Sequence, residues 1–159
     1  MPNWTENDLD VKGLLSEVNL FIKKAKGTNG DIDFNNFVPY PDDFIKKDVK
    51  AMNSKKAKDG FNSGGFEWCC NNWGTKWNAC DIVMDLKTTN GKTSKLQVSF
   101  STAWSPPLPI IKAMSKAFPT LTFVLNFYEA GCSFAGCSKF KNGSCFYEMN
   151  KDYNGCRGG

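Results

Sequence analysis

Seven cysteines, twenty basic and sixteen acidic side chains, and no histidine set the chemistry open to this chain. Without histidine the commonest general base and metal ligand is missing, which excludes His-dependent triads and mixed Cys/His zinc patterns. Cys132, Cys137, Cys145 and Cys156 form the one cysteine group with a weak claim to a metal. Their gaps of four, seven and ten residues lack the short paired spacing of zinc sites, so the expectation is no metal and no cofactor. Cys69 and Cys70 are adjacent, and neighbouring side chains on a strand point to opposite faces, which disfavours joint ligation or a disulfide. Either thiol as a nucleophile lacks an activating base nearby in sequence. Asp81 and Asp85 share a strand face four residues apart, but a metal-dependent nuclease needs a facing pair or a third acid. The non-enzymatic reading is therefore the stronger one.

Binding chemistry is better represented. Asn71, Asn72, Trp73, Thr75, Lys76 and Trp77 form a polar-aromatic loop, and with Trp104 they make a candidate ligand or partner surface. Gly74 supplies a positive φ in that loop, and the indoles serve either as packed lids or as stacking faces. Lys46, Lys47, Lys50, Lys55, Lys56 and Lys58 give a basic helix surface, read as a solvated face or as a contact for phosphate or an acidic protein. For single-stranded nucleic acid the candidates are Tyr128, Phe134 and Trp104 with Lys76, Lys95 and Lys139. Against that, the off-core positions of 92–100 are Lys95, Gln97 and Ser99, with no aromatic among them.

The elements that must position these residues follow from periodicity. Leu96, Val98 and Phe100 alternate with polar residues, as do Leu121, Phe123, Leu125 and Phe127, which predicts two strands with one buried face each. Between them Ile110, Ile111, Met114, Ala117 and Phe118 lie at helix spacing, after three prolines suited to a first turn, with Ser105 as the expected cap and Pro119 as the stop. Strand, helix, strand in this order makes a right-handed crossover with parallel strands.

Upstream, Thr5–Val11 reads as a strand ended by Gly13, and Leu14, Val18, Phe21, Ile22 and Ala25 as the stripe of a helix. Phe34, Phe37, Val38 and Pro39 form an apolar loop over the core. Phe44, Ile45, Val49 and Met52 predict a further helix capped by Asp42 or Asp43. Gly60, Gly64 and Gly65 mark a flexible connection. A strand begins near Ala79 and turns at Asn90-Gly91, and Asn142-Gly143 predicts a last hairpin.

The order strand, helix, strand, strand, helix, strand is α+β, the ferredoxin-like split strand-helix-strand sandwich: a four-stranded antiparallel sheet with two helices on one face. Residues 1–159 read as one such domain, with a helical insert at 31–78 in the first crossover and a C-terminal extension over 130–159. An apolar content of 41% places the chain in the globular class, and no apolar run approaches the roughly 20 residues of a membrane span. The polar opening MPNWTENDLD does not read as a signal peptide. The net charge of +4 comes from residues 61–159, where ten basic side chains meet six acidic ones, a modest excess.

MPNW at the start, FNNFVPYPDDF at 34–44, NNWGTKWNA at 71–79, FSTAWSPPLPIIKAMSKAFPTLTFVLNFYEAG at 100–131 and FAG at 134–136 resemble the Api92-like/YubB proteins. The pairing of WGTKW with TAWSPP is the specific part, and the similarity covers most of residues 1–136. The resemblance implies a ferredoxin-like domain and a phage or plasmid setting, and supplies no reaction. Cys69, Cys70, Cys80, Cys132 and Cys137 depart from it, standing where aromatic, acidic or small residues are expected. In that setting the expected function is a non-enzymatic protein of the host cytoplasm, monomer or homodimer. It would inhibit a host defence factor, such as a CRISPR effector or other nuclease complex, by direct contact with a protein or protein–nucleic-acid complex. The alternatives are a single-stranded nucleic-acid-binding accessory protein and a small-substrate enzyme using the Asn71–Trp77 loop.

Overall fold

The computed structural model describes residues 3–54, 56–89 and 91–155; Asn90, Lys55 and Cys156, named above, lie outside the described residues. Alternation builds the central strand β1 (Trp4–Leu14), in which Leu9 and Val11 are buried and Asp8 and Lys12 exposed. It continues three residues past Val11, so Leu14 ends the strand and is exposed instead of opening the next helix. Helix α1 (Leu15–Ala25) buries Val18, Phe21 and Ala25, with Lys23 and Lys24 in its last turn, where they complement the negative end of the helix dipole. Between α1 and the second strand come α2 (Asp42–Met52) and α3 (Gly65–Asn72). There follow β2 (Cys80–Thr89), β3 (Thr93–Ala103), α4 (Leu108–Ala117), β4 (Thr122–Glu129), β5 (Phe134–Lys141) and β6 (Ser144–Asp152).

The strands join in the order β2-β3-β1-β4-β5-β6, every neighbouring pair antiparallel. Because β3 and β4 both run antiparallel to β1, they are parallel to each other, as the crossover requires. The first four positions are the ferredoxin-like sheet, and the β5-β6 hairpin extends it beyond β4. Its turn at Asn142 and Gly143, with φ of 49° and 73°, is the two-residue form with both centres left-handed.

The core lies under α1 and α4. Phe21 meets Phe118 and Phe123 edge-on at 5.5 and 5.4 Å, and Ile110, Ile111 and Met114 of α4 are fully buried in one cluster with Phe100, Leu121 just before β4, and Phe123 and Leu125 within it. Phe34, in a 3₁₀ turn at Phe34–Asn36, plugs the core as the apolar-loop reading expected.

Several local expectations are corrected. Cys69 and Cys70 sit on α3, a helix, not on a strand. The connection over 60–65 is a 3₁₀ turn at Phe61–Ser63 leading directly into α3. Pro41, not an aspartate, holds the N-cap of α2, and Asp42 and Asp43 sit in its first turn. Pro107 holds the N-cap of α4, and Ser105 instead donates to Gly74 O at 2.6 Å. The strand expected from near Ala79 is β2, which packs Ile82 and Met84 on the core and leaves Leu86 exposed. A bulge between Cys80 and Val83, with Asp81 at φ 49°, breaks the alternation that would align Asp81 with Asp85.

Candidate functional site

The WGTKW loop begins where α3 stops. Trp73 caps α3 by donating its N–H to Cys69 O at 2.8 Å, and Gly74 then turns the chain at φ 84°. A side chain there would meet Pro109 Cδ at 2.5 Å and the backbone of Pro106 and Leu108 at 3.2 Å, so glycine permits the close approach as well as the turn. Hydrogen bonds lock the contact. Asn7 Nδ2 donates to Thr102 Oγ1 at 2.9 Å, Thr102 Oγ1 to Ser105 O at 2.8 Å, and Thr75 Oγ1 to Ala103 O at 3.0 Å. The WGTKW and TAWSPP stretches thus form one structural unit at the end of the sheet.

The turn at Gly74 divides the loop's side chains. Trp73 and Thr75 go inward: the indole N–H donates to Val38 O at 2.8 Å, and its ring meets Phe34, Tyr40 and Trp68. Lys76 and Trp77 go outward. The Lys76 ammonium lies 4.1 Å from the Trp77 ring centre and 4.2 Å from that of Trp104, a cation held between two indoles. Trp104 is held at φ 72° while its N–H donates to Asn3 O at 2.9 Å. Trp4 lies against Trp77 at 6.2 Å, and the indoles of Trp4, Trp77 and Trp104 are 37%, 40% and 53% exposed.

Beside this corner opens a cleft of about 760 Å³. Its lining includes Tyr40, Asp42, Ile45, Asp48 and Phe61 from the 40–61 part of the insert, together with Asp33, Trp73, Lys76, Trp77 and Asn78. Asp33 ties the lining residues Thr28, Asn35 and Asn78 together. Its carboxylate accepts from Asn35 N and Nδ2 at 3.0 and 3.1 Å, Asn78 Nδ2 at 2.9 Å and Thr28 Oγ1 at 3.3 Å. Burial alone would push this carboxyl up, but the donors from Asn78, Asn35 and Asn29 together hold it below the ordinary aspartate value. Cys69 also lines the cleft, and burial, with Cys70 and Asp48 nearby, pushes its thiol up to about 12. It stays a neutral thiol near neutral pH, the wrong state for a nucleophile. Burial does the same to Tyr40, also pushed up to about 12, with Asp48 adding to it.

The expected surface residues therefore separate. Trp73, Lys76 and Trp77 line the cleft, and Trp104 joins them through Lys76. Thr75 is buried, Asn72 donates back to Trp68 O at 2.9 Å, and Asn71 is exposed at the end of α3. Lys46, Lys47 and Lys50 lie exposed on α2, with Lys56 and Lys58 exposed after it; no residue of α2 is buried. Cys132 and Cys145 flank opposite ends of β5 while Cys137 is buried within it. Among the described residues no His/Cys/Asp/Glu group is arranged to hold a metal ion. Nor is any described helix long and apolar enough to cross a membrane.

The helix-free face of the sheet is acidic at its centre. Glu6, Asp8 and Asp10 of β1 accept from Ser101, Ser99 and Gln97 of β3, and Lys95 pairs with Asp10 at 2.8 Å. The nucleic-acid candidates are engaged elsewhere. Tyr128 stacks on Tyr153 at 4.9 Å, Phe134 meets Phe127 edge-on at 6.3 Å, and Lys139 lies 4.6 Å over Tyr147.

Sequence reasoning missed Asp33 as the hub of the cleft and Trp4 as part of the corner. An aspartate two residues before an asparagine is a local turn signal for the first. Its link to Asn78 spans 45 residues and has none.

A family model described as the ferredoxin-like domain in Api92-like protein matches residues 72–155. The crystal structure of a protein api92 from Yersinia pseudotuberculosis is similar over 99% of this chain and 100% of that one, with a TM-score of 0.61 and 9% sequence identity. At that identity the likeness is one of fold. No curated protein matches.

Proposed function

We propose, from the premise that this chain belongs to the Api92-like family, that it is a mobile-element-encoded, non-enzymatic protein that binds and inhibits a host defence factor. The phage or plasmid setting implied by the resemblance supports the choice of partner. The observation that carries the binding role is the corner itself: Trp4, Trp77 and Trp104 stand partly exposed around a fixed Lys76. Tryptophan is among the residues that dominate interface energetics, and side chains held in place before binding lose less entropy on docking. The neutral Cys69 thiol in the adjoining cleft supports a binding role over a covalent one.

Nucleic acid as the sole partner is the second reading, favoured by the same indoles around a lysine. Glu6, Asp8 and Asp10 oppose it on the open face of the sheet, where they repel phosphate. The test is capture from host lysate with tagged wild-type chain and with Trp77→Ala and Trp104→Ala, with and without nuclease. A stoichiometric host protein that survives nuclease and is lost with folded Trp104→Ala is the expected result. Loss of every partner on nuclease treatment transfers the case to nucleic acid.

A further inference from the structure

We infer that the cleft beside the tryptophan corner receives an arginine side chain from an extended segment of the partner, an inference that rests on the binding role proposed above. Its volume of about 760 Å³ exceeds what one side chain needs and leaves room for flanking backbone. Three carboxylates line it, Asp33, Asp42 and Asp48, against the single lysine Lys76. That lysine makes no ion pair with them, since its ammonium is held against the rings of Trp77 and Trp104, and its one charge leaves the lining net negative.

The carboxylates differ in what they have left to offer. Asp33 is occupied by its ring of donors. Asp48 accepts Gly60 N at 2.7 Å and Phe61 N at 3.1 Å on Oδ1, leaving Oδ2 without a hydrogen-bond partner among the described residues. Asp42, exposed in the first turn of α2, has no partner among the described residues. Two carboxylates with free oxygens thus line the same cleft as the Trp77 indole.

A planar guanidinium suits that pairing, because it donates in a fork to carboxylates and lays its flat face on aromatic rings, whereas an ammonium is a point charge without the fork. An acidic segment would gain Lys76 and oppose three carboxylates. The α2 side of the cleft is also open surface: α2 buries no residue, and Ile45, which lines the cleft, is 43% exposed.

The test titrates purified full chain with three capped tripeptides, glycine flanking arginine, its neutral isostere citrulline, or glutamate, while the Trp77 indole resonance is followed. Saturable binding of the arginine peptide is expected, with the citrulline peptide weaker by about tenfold, since hydrogen bonds to a charged group are the strong ones. Asp42→Asn should weaken the arginine peptide several-fold. Asp43→Asn, in the same helical turn but outside the cleft, should leave it unchanged and controls for net charge. Equal binding of arginine and citrulline, a preference for glutamate, or no effect of Asp42→Asn overturns the inference. If the peptides fail while a host protein is still captured through Trp104, only the occupant of the cleft is wrong. Nuclease-sensitive capture overturns the proposed function whatever the peptides do.

Discussion

Substitution of Gly74 by alanine tests the joint on which the site depends. Two penalties combine. A left-handed φ of 84° costs about 1–2 kcal/mol for any residue with a Cβ. The new Cβ would also stand 2.5 Å from Pro109 Cδ and 3.2 Å from Pro106 O and Leu108 N. None of these atoms can rotate away, and overlap of that kind adds about 1–3 kcal/mol. The sum, about 2–5 kcal/mol, corresponds to a fall of roughly 1–2.5 M in the urea midpoint for a typical slope near 2 kcal/mol/M. Gly91→Ala is the matched control, since its φ of 66° is also left-handed but nothing lies within 4 Å of its Cβ position. It should lose only the backbone part, about 1–2 kcal/mol. Equilibrium unfolding followed by indole fluorescence and far-UV circular dichroism measures both. If the two variants agree to within about 0.5 kcal/mol, the packing of the loop on the proline turn contributes nothing and the argument for a single unit fails.

Other consequences are as direct. Asp33 titrates below the ordinary aspartate range, so it contributes stability that is complete above about pH 4 and is lost as pH falls through its lowered value; Asp33→Asn should flatten the acid limb of a stability-versus-pH curve. A thiol reagent at pH 8 should modify exposed Cys132 and Cys145 within the native chain while Cys69 reacts only on unfolding, and equal rates would contradict its burial and raised pKa. Phe123→Ala removes a fully buried ring from between α1 and the sheet and should lower stability by about 3–5 kcal/mol in the same urea assay. Since α2 buries no residue, its amides should exchange with solvent well before those of α1 or α4; comparable protection by hydrogen-exchange mass spectrometry would show that the insert is tied down more firmly than its packing indicates.

What the sequence made legible divides along physical lines. Strands β1, β3 and β4 and helices α1 and α4 were readable because each buries one face, and burial of one face leaves a period in the chain. Helix α3 left no such trace. Its eight residues, GFEWCCNN, are poor helix formers flanked by glycine, and they are helical because Trp68 and Cys69 pack against Tyr40, Trp73 and the core. The apolar stripe of α2 has the spacing of a buried helix, yet Ile45, Val49 and Met52 are exposed, because periodicity reports a face and not what covers it. The site was half legible. Composition flagged the WGTKW loop as unusual, but the turn at Gly74 decides which of its residues face inward, and that depends on a proline turn more than thirty residues away.

The same geometry explains why recognition is sought at the end of the sheet and in the insert. In this fold the helix-free face is the natural platform for a ligand, being flat and uncovered. Here its central strand carries Glu6, Asp8 and Asp10, and the side chains of β3 are drawn into hydrogen bonds or ion pairs with them. A ligand on that face would have to displace those bonds before making its own, and an anionic one would meet three carboxylates in a row. At the corner no such exchange is needed. Lys76 and the indoles are fixed by contacts with one another, and the backbone beneath them is fixed by Thr75, Ser105 and Thr102. The free oxygens of Asp42 and Asp48 line the same cleft as Lys76 and Trp77 of that corner. A partner docking on the tryptophans could therefore reach into the cleft without remodelling the sheet, which leaves α2 as the element whose movement would adjust the fit.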